Sequence, residues 1–286
     1  MRIHKYAAVF AAAGALTLAG CAGGGGGEDP APAEDAEFEA GTTMASLNEA
    51  GSITIGTKFD QPLFGLMGPS GEPEGFDVEI GKIIAADLGI EAGNIDWVET
   101  VSANREPFIE NGQVDIVIAT YTINDERKEV VSFAGPYYEA GQDLLVLEGN
   151  PDGIEGIEDV KGEKVCSATG STSADNLRAE GVEVLETDTY SNCLEPLRSG
   201  EVVAVSTDNV ILAGLADQNE GEFEVIENPF TSEPYGIGLA LDDTEFRNFI
   251  NDTLEASYED GRWAEAWENT AGAVLSTPEP PAVDRY

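Results

Sequence analysis

Segments with the pattern of β-strands and of α-helices alternate along this chain, and the alternation runs twice. Residues 52–57 and 114–119 are rich in β-branched side chains, and residues 76–88 between them carry apolar side chains at helical spacing. A second series begins at residues 164–167 and reaches another apolar strand at residues 202–206. Because strands that alternate with helices form open, mostly parallel sheets with right-handed crossovers, the sequence predicts two α/β units.

A C-terminal return follows the second unit, with a strand at residues 235–240 and an amphipathic helix at residues 244–258. We therefore expect two lobes, each an open mixed sheet flanked by helices, joined by two hinge crossings. The expected bounds are crossings near 137–141 and 231–235, a first lobe of 46–138 with 234–286, and a second lobe of 139–233. In such sheets ligands bind beyond the carboxyl ends of the strands, here between the lobes.

The N-terminus has the pattern of an export signal. Arg2 and Lys5 precede an apolar run at residues 7–19, which is too short to span a bilayer, so residues 1–20 are predicted to be a signal peptide. Small residues stand directly before Cys21, an arrangement that resembles the lipobox of bacterial lipoproteins, in which this cysteine carries a diacylglycerol. The alternative is an ordinary secretory signal with a chance cysteine. We expect a protein anchored to the outer face of the cytoplasmic membrane.

Residues 21–45 are predicted to be a flexible tether. Up to residue 40 they are mainly Gly, Glu, Asp, Pro and Ala, with Phe38 as the single aromatic. Such a composition buries too little apolar surface to offset the entropy of ordering. The later sequence has no apolar run long enough to cross a membrane.

Charge and histidine content exclude several classes of function. The net charge of −41 excludes nucleic-acid binding, since no basic patch exists, and is typical of a solubilising outer surface. The only histidine, His4, lies in the signal peptide, which excludes histidine-dependent catalysis and histidine metal sites. No motif for an activated nucleophile is present, so we expect neither an enzyme nor a bound metal or cofactor.

Cys166 and Cys193 remain once Cys21 is assigned to the lipid. In an oxidising compartment such a pair favours a disulfide, and two buried free thiols are the alternative.

Five motifs occur in the order of a known family. They are Gly-Phe-Asp-Val-Glu (75–79), Asn-Gly-Gln-Val-Asp (111–115), Thr-x-Thr-Ile-x-Asp-Glu-Arg (120–127), Thr-Gly-Ser-Thr (169–172) and Tyr-Gly-Ile-Gly (235–238). The chain resembles the family 3 extracellular solute-binding proteins, and among them the glutamate-binding lipoproteins of actinobacterial ABC importers. The resemblance implies a two-lobed periplasmic-binding-protein fold that closes by a hinge. It also implies ABC permease and ATPase subunits as partners of a monomeric binding protein.

The resemblance assigns the main ligand contacts. Arg127 matches the arginine that holds the ligand α-carboxylate, and Asp208 matches the aspartate that pairs with the ligand ammonium. The alternatives are an exposed arginine and a helix N-cap. Three threonines at strand ends are further candidates: Thr120, Thr122 and Thr207.

A loop in the second lobe is expected to bind an anion. Thr169, Ser171 and Thr172 flank Gly170 between a strand and a helix, and a helix N-terminus favours negative charge. The alternative is plain capping of that helix by Ser173.

Two further cations, Lys58 and Arg105, are expected to select the side chain of the ligand. Neutral- and basic-amino-acid relatives usually have Asp where this chain has Lys58, and Ser102 with Arg105 resembles the Ser-x-x-Arg of glutamate/aspartate binders. Exposed charge is the alternative for both cations. The aromatic that relatives stack on the ligand is replaced by Gln61.

These residues predict a binding protein that captures glutamate for an ABC importer. The open alternatives are aspartate, glutamine or another polar amino acid in the same cleft, or an anchored amino-acid sensor. Some relatives on this fold are dehydratases that use acidic residues, but the absence of histidine beyond the signal peptide and of any motif for an activated nucleophile argues against an enzyme.

Overall fold

The strands group into two five-stranded sheets and one three-stranded sheet in the computed structural model, which describes residues 29–34 and 36–286. In chain order they are β1 (Ile53–Thr57), β2 (Asp60–Gln61), β3 (Gly65–Met67), β4 (Pro73–Glu74), β5 (Ile95–Glu99), β6 (Ile116–Thr122), β7 (Ser132–Ala140), β8 (Gln142–Leu147), β9 (Lys164–Ala168), β10 (Glu183–Thr187), β11 (Ala204–Asp208), β12 (Phe223–Val225) and β13 (Glu233–Leu239).

The helices cover the faces of the two large sheets. They are α1 (Thr43–Ala50), α2 (Phe76–Asp87), α3 (Arg105–Glu110), α4 (Asp125–Lys128), α5 (Thr172–Ala179), α6 (Leu194–Ser199), α7 (Asn209–Gln218), α8 (Thr244–Asp260) and α9 (Arg262–Glu268). None of the helices in the described ranges is long and apolar enough to cross a membrane.

Both large sheets are mixed, as the sequence predicted. The first has the order β5-β1-β6-β13-β7, with β1 parallel to its neighbours and β13 antiparallel to β6 and β7. The second has the order β10-β9-β11-β8-β12, with β8 antiparallel to β11 and β12. The fold is therefore the expected two-lobed α/β arrangement.

The chain passes between the sheets at two neighbouring points. Only Gly141 separates β7 of the first sheet from β8 of the second, and the return ends where β13 begins at Glu233. Glu233 and Ala140 are paired in the ladder between β13 and β7, so the two crossings lie side by side. Strands β7 and β8 were missed by the sequence prediction, which placed a crossing at 137–141.

An aromatic cluster forms the centre of the first lobe. Trp267 of α9 stacks on Tyr138 at 5.0 Å between ring centroids and meets Phe76 edge-on at 5.1 Å. Trp263 lies beside it, and Phe64 packs against both Phe76 and Trp267. Such large rings contribute much of the apolar area that a lobe buries, so α9 is fixed firmly to the sheet.

The predicted tether to residue 45 is wrong in its last part, because α1 begins at Thr43. The Thr42 hydroxyl caps this helix by accepting from the Ala45 amide at 3.2 Å. Upstream, the Ala33 amide donates to the Ala86 carbonyl at 2.8 Å, and Phe38 packs edge-on against Phe249. A few contacts of this kind order the segment, although its average composition predicts no ordered structure. Residues 1–28, with the predicted signal and Cys21, lie outside the described residues.

The predicted disulfide between Cys166 and Cys193 is confirmed. It joins β9 to the 3-10 turn Ser191–Cys193 that precedes α6, with 5.6 Å between the two Cα atoms. The bridge therefore ties α6 to the sheet of the second lobe.

Candidate ligand-binding cleft

The ends of β1, β5 and β6 bring three buried cations together in the first lobe. Lys58, Arg105 and Arg127 are 4%, 3% and 7% exposed. The alternative interpretation of these residues as exposed surface charge is therefore wrong. Burying cations is costly unless anions accompany them, and within the described residues Lys58 and Arg105 form no salt bridge, so this cluster indicates a site for anions.

Lys58 follows β1 directly, and its Nζ donates to the Ser102 hydroxyl at 2.9 Å. Burial lowers the pKa of Lys58 to about 7, and the positive charge of Arg105 lowers it as well, against the opposing effects of Asp60 and Asp77. An anionic ligand group beside this ammonium would stabilise its charged form.

The two arginines are held by backbone carbonyls and by one ring. Arg105 donates through Nη1 to the Ala119 and Thr120 carbonyls, both at 3.3 Å, and Arg127 donates to the Thr122 carbonyl at 2.7 Å. Their guanidinium carbons lie 4.3 Å and 4.9 Å from the centroid of the Tyr121 ring. This ring fixes both cations by cation–π contact, which the sequence analysis did not anticipate.

Arg127 also has an acidic neighbour. Its Nε forms a salt bridge with Glu106 Oε1 at 3.1 Å, and Glu106 is only partly buried. This bond orients the guanidinium and leaves its other edge toward the second lobe.

Thr120 and Thr122 belong to β6 itself rather than to a loop after it. Thr120 has a positive φ of 45°, and its amide donates to Asp77 Oδ2 at 2.8 Å. Its hydroxyl donates to Gln61 Oε1 at 2.9 Å, while Gln61 Nε2 is buried without a partner. Where relatives have the aromatic, this chain thus has a buried amide donor that lacks a partner among the described residues.

Asp208 is the last residue of β11 and is 4% exposed. It precedes α7, but its side chain makes no capping hydrogen bond, so capping does not explain this carboxylate. The Tyr235 hydroxyl donates to Oδ2 at 2.6 Å, and Oδ1 is buried without a partner. Burial raises the pKa of Asp208 to about 7, and the nearby Glu233 also raises it.

The residues predicted to bind an anion in the loop before α5 make different contacts in the structure. Helix α5 begins at Thr172, and it is capped by Ser171 rather than Ser173. Thr172 donates to Glu233 Oε2 at 3.0 Å, and Thr207 is buried beside Ser173. Thr169 is not brought into the cluster, since it is exposed and its amide bonds to Thr187 of β10.

The two lobes touch across the cleft. The Gly170 carbonyl of the second lobe accepts hydrogen bonds at 3.4 Å from Arg105 and from Arg127. Asp60 of the first lobe accepts from Ser191 of the second at 3.3 Å. The structure is therefore in a closed arrangement, with cations on one wall and Asp208 on the other. No group of three or more acidic, Cys or His side chains within the described residues could hold a metal ion.

Comparisons with known proteins agree with this geometry. Residues 53–270 match the model of a family described as bacterial extracellular solute-binding proteins, family 3. The glutamate-binding protein GluB of Corynebacterium efficiens is 46% identical over 237 residues, which cover 79% of this chain and 80% of that protein. The ABC transporter glutamine-binding protein GlnH of Bacillus subtilis is 40% identical over 230 residues, 79% of this chain and 83% of that protein.

A solved structure extends the likeness to the fold. An ancestral arginine-binding protein bound to glutamine superposes with a TM-score of 0.71 at 35% identity, covering 77% of this chain and 97% of the other. The same two-lobed scaffold thus carries binding proteins with acidic, neutral and basic amino acids in their names.

Proposed function

Since the chain belongs to the bacterial extracellular solute-binding proteins of family 3, we propose that it captures glutamate between its lobes and delivers it to an ABC importer. One observation carries the choice of ligand: Lys58, Arg105 and Arg127 converge, buried, in the first lobe. Glutamate brings two carboxylates and one ammonium, so it matches these cations together with Asp208 opposite them.

In this proposal each charged residue has one role. Arg127 holds the α-carboxylate, with Thr122 and the amides at the start of α5 beside it. Asp208 accepts from the ammonium through its free Oδ1. Lys58 and Arg105 receive the side-chain carboxylate, with Ser102 holding Lys58 in place.

Glutamine is the second candidate, because the unpartnered Nε2 of Gln61 could donate to a ligand amide oxygen as readily as to a carboxylate. It is the ligand named for the Bacillus subtilis relative. Titration calorimetry of the purified protein against each of the standard amino acids separates the candidates. We expect glutamate to bind most tightly, and a preference for lysine or arginine would overturn the proposed function.

The proposal includes a lipid anchor at Cys21 and a monomer that serves permease and ATPase subunits without turning its ligand over. Metabolic labelling with a fatty acid should mark the wild type and not a Cys21→Ala variant, which should be released into the medium. Release of the wild type in equal amount would contradict the anchor.

A further inference from the structure

A second buried carboxylate lies next to Asp208, at the point where the chain returns to the first lobe. Glu233 is the first residue of β13 and is 3% exposed. Side chains two residues apart lie on the same face of a strand, so Glu233 faces the same side as Tyr235. The Tyr235 hydroxyl is bonded to Asp208, which places both carboxylates on one side of the hinge.

Among the described residues, only neutral groups form hydrogen bonds with Glu233. Thr172 donates to Oε2 at 3.0 Å, and Asn176 and Thr231 donate to Oε1 at 3.2 Å and 2.9 Å. Within the described part of the chain, neither Glu233 nor Asp208 forms a salt bridge with a lysine or arginine. Arg105 and Arg127 lower the pKa of Asp208 through their charge but form no ion pair with it, so among the described residues neither carboxylate is paired directly with a cation.

Like charges that are buried together are unfavourable unless a cation joins them. The ligand's ammonium is the cation that reaches this place when the cleft is closed. Asp208 Oδ1 is free to accept from it directly, whereas both Glu233 oxygens already accept from side chains. Glu233 would therefore act through its charge rather than by a direct hydrogen bond.

Glu233 also connects the hinge to α5. Asn176 bridges it to Gln142 Oε1 at 2.9 Å, and Gln142 in turn donates to Ser206 and to the Ser173 carbonyl. Gln142 is the first residue of β8, so this network joins both crossings to the helix whose N-terminus faces the cleft.

We propose that Glu233 is a positioning and specificity-determining residue, which supplies the second negative charge facing the ligand ammonium and holds the N-terminus of α5 in place. The inference rests on the proposed capture of an amino acid, and it deepens that proposal. It requires that the cleft discriminate against ligands that lack the ammonium.

The test compares two variants that separate the effect of the charge from the effect of side-chain length. Glu233→Gln keeps the length of the side chain and removes its charge, whereas Glu233→Asp keeps the charge and withdraws it from Thr172 and Asn176. The exposed Glu163→Gln removes the same charge far from the cleft and serves as control. Each variant is titrated with glutamate and, in competition, with 2-hydroxyglutarate, which has a hydroxyl in place of the ammonium. Thermal unfolding checks that each variant is folded.

We expect Glu233→Gln to weaken glutamate binding by about tenfold or more. Its affinity for 2-hydroxyglutarate should stay equal or rise, and Glu233→Asp should lose less glutamate affinity than Glu233→Gln. Equal losses for both ligands, or a greater loss in Glu233→Asp, would mean that Glu233 only braces the hinge. If 2-hydroxyglutarate does not compete with glutamate at all, the proposal is tested by whether Glu233→Gln loses more glutamate affinity than Glu233→Asp.

The result is distinguishable from failure of the proposed function. If the wild type prefers another amino acid, the same comparison is made with that amino acid and its hydroxy acid. Glutamate capture is then wrong, and the assignment of Glu233 is still tested. A wild type that binds no amino acid overturns both.

Discussion

In the proposed site, side-chain selectivity depends on Lys58, because its ammonium is buried and, among the described residues, has only the Ser102 hydroxyl as a hydrogen-bond partner. Lys58→Met keeps most of the volume and removes the charge. We expect it to weaken glutamate binding by about 2–3 kcal/mol and to change glutamine binding little. Calorimetry with both ligands measures the difference, with the exposed Lys161→Met as control. Parallel losses for glutamate and glutamine would show that Lys58 does not contact the side-chain carboxylate.

Lys58 and Asp208 together predict a pH optimum for binding. A ligand carboxylate raises the pKa of Lys58 from about 7, so its contribution to affinity is full below pH 7 and is lost as the pH rises above it. A ligand ammonium lowers the pKa of Asp208 from about 7, so this contribution is full above pH 7 and is lost as the pH falls. Affinity should therefore peak near pH 7.

Titrations between pH 5 and 9 test this profile, a window that brackets the two pKa values of about 7. Lys58→Met should flatten the alkaline side alone, and Asp208→Asn the acidic side alone. A profile without slope on either side in the wild type contradicts both assignments.

Part of the cleft could be predicted from single residues. Lys58 follows a strand and Asp208 ends one, and strand ends are where open sheets bind ligands. Asp77 and Glu233 could not be found in this way, because their roles depend on contacts with Thr120 and Thr172, which lie 43 and 61 residues away. Glu233 stands directly before the Pro-Tyr-Gly-Ile-Gly segment. This position is the only feature of the sequence that indicates a role for Glu233.

Among the elements, the crossing strands were the hardest to predict. Gly135 and Pro136 interrupt β7, and such residues are typical of turns, so the sequence before the predicted crossing at 137–141 does not indicate a strand. The structure accommodates Pro136 because β7 is the edge strand of its sheet, where a missing amide donor costs little. The parallel strands β1, β6, β9 and β11 contain no proline, and the sequence located them to within three residues.

The disulfide should stabilise the second lobe in particular. Cys166 and Cys193 close a loop with a sequence separation of 27 residues between β9 and the turn before α6. Replacing both by serine should lower the free energy of unfolding by about 3 kcal/mol in the chain-entropy model. Urea unfolding of the variant and the oxidised wild type measures this, and reduced wild type is the control. Unchanged stability would mean that the bridge does not stabilise the fold by restricting the unfolded chain.

At the scale of the whole molecule, closure depends on a close approach at Gly170. A Cβ atom there would lie 2.8 Å from Ala103 Cα of the opposite lobe. Gly170→Ala should leave each lobe folded but weaken ligand binding by at least about tenfold, since binding and closure are coupled. In X-ray scattering, glutamate should make the wild type more compact and leave the variant unchanged.

Gly162→Ala is the matched control for this experiment. Gly162 has a similar φ of 81° in the same lobe, but nothing lies within 4 Å of its added Cβ. It carries the same backbone strain, about 1 kcal/mol, without an interlobe contact. If both variants lose affinity equally, the effect comes from backbone strain and not from blocked closure.

Under the proposed lipid anchor, residues 29–34 and 36–41, which lie along the first lobe, would limit how far the protein can move from the bilayer. If Cys21 carries the lipid, the connection to the bilayer is the chain between it and Asp29, which pairs with Lys82 at 2.9 Å. At about 3.5 Å per residue its greatest reach is roughly 28 Å, less than the length of a small domain. Under the proposed anchoring, the cleft would stay in a thin layer above the lipid headgroups. A membrane-embedded importer in that layer would meet its loaded carrier at a local concentration far above the average outside the cell.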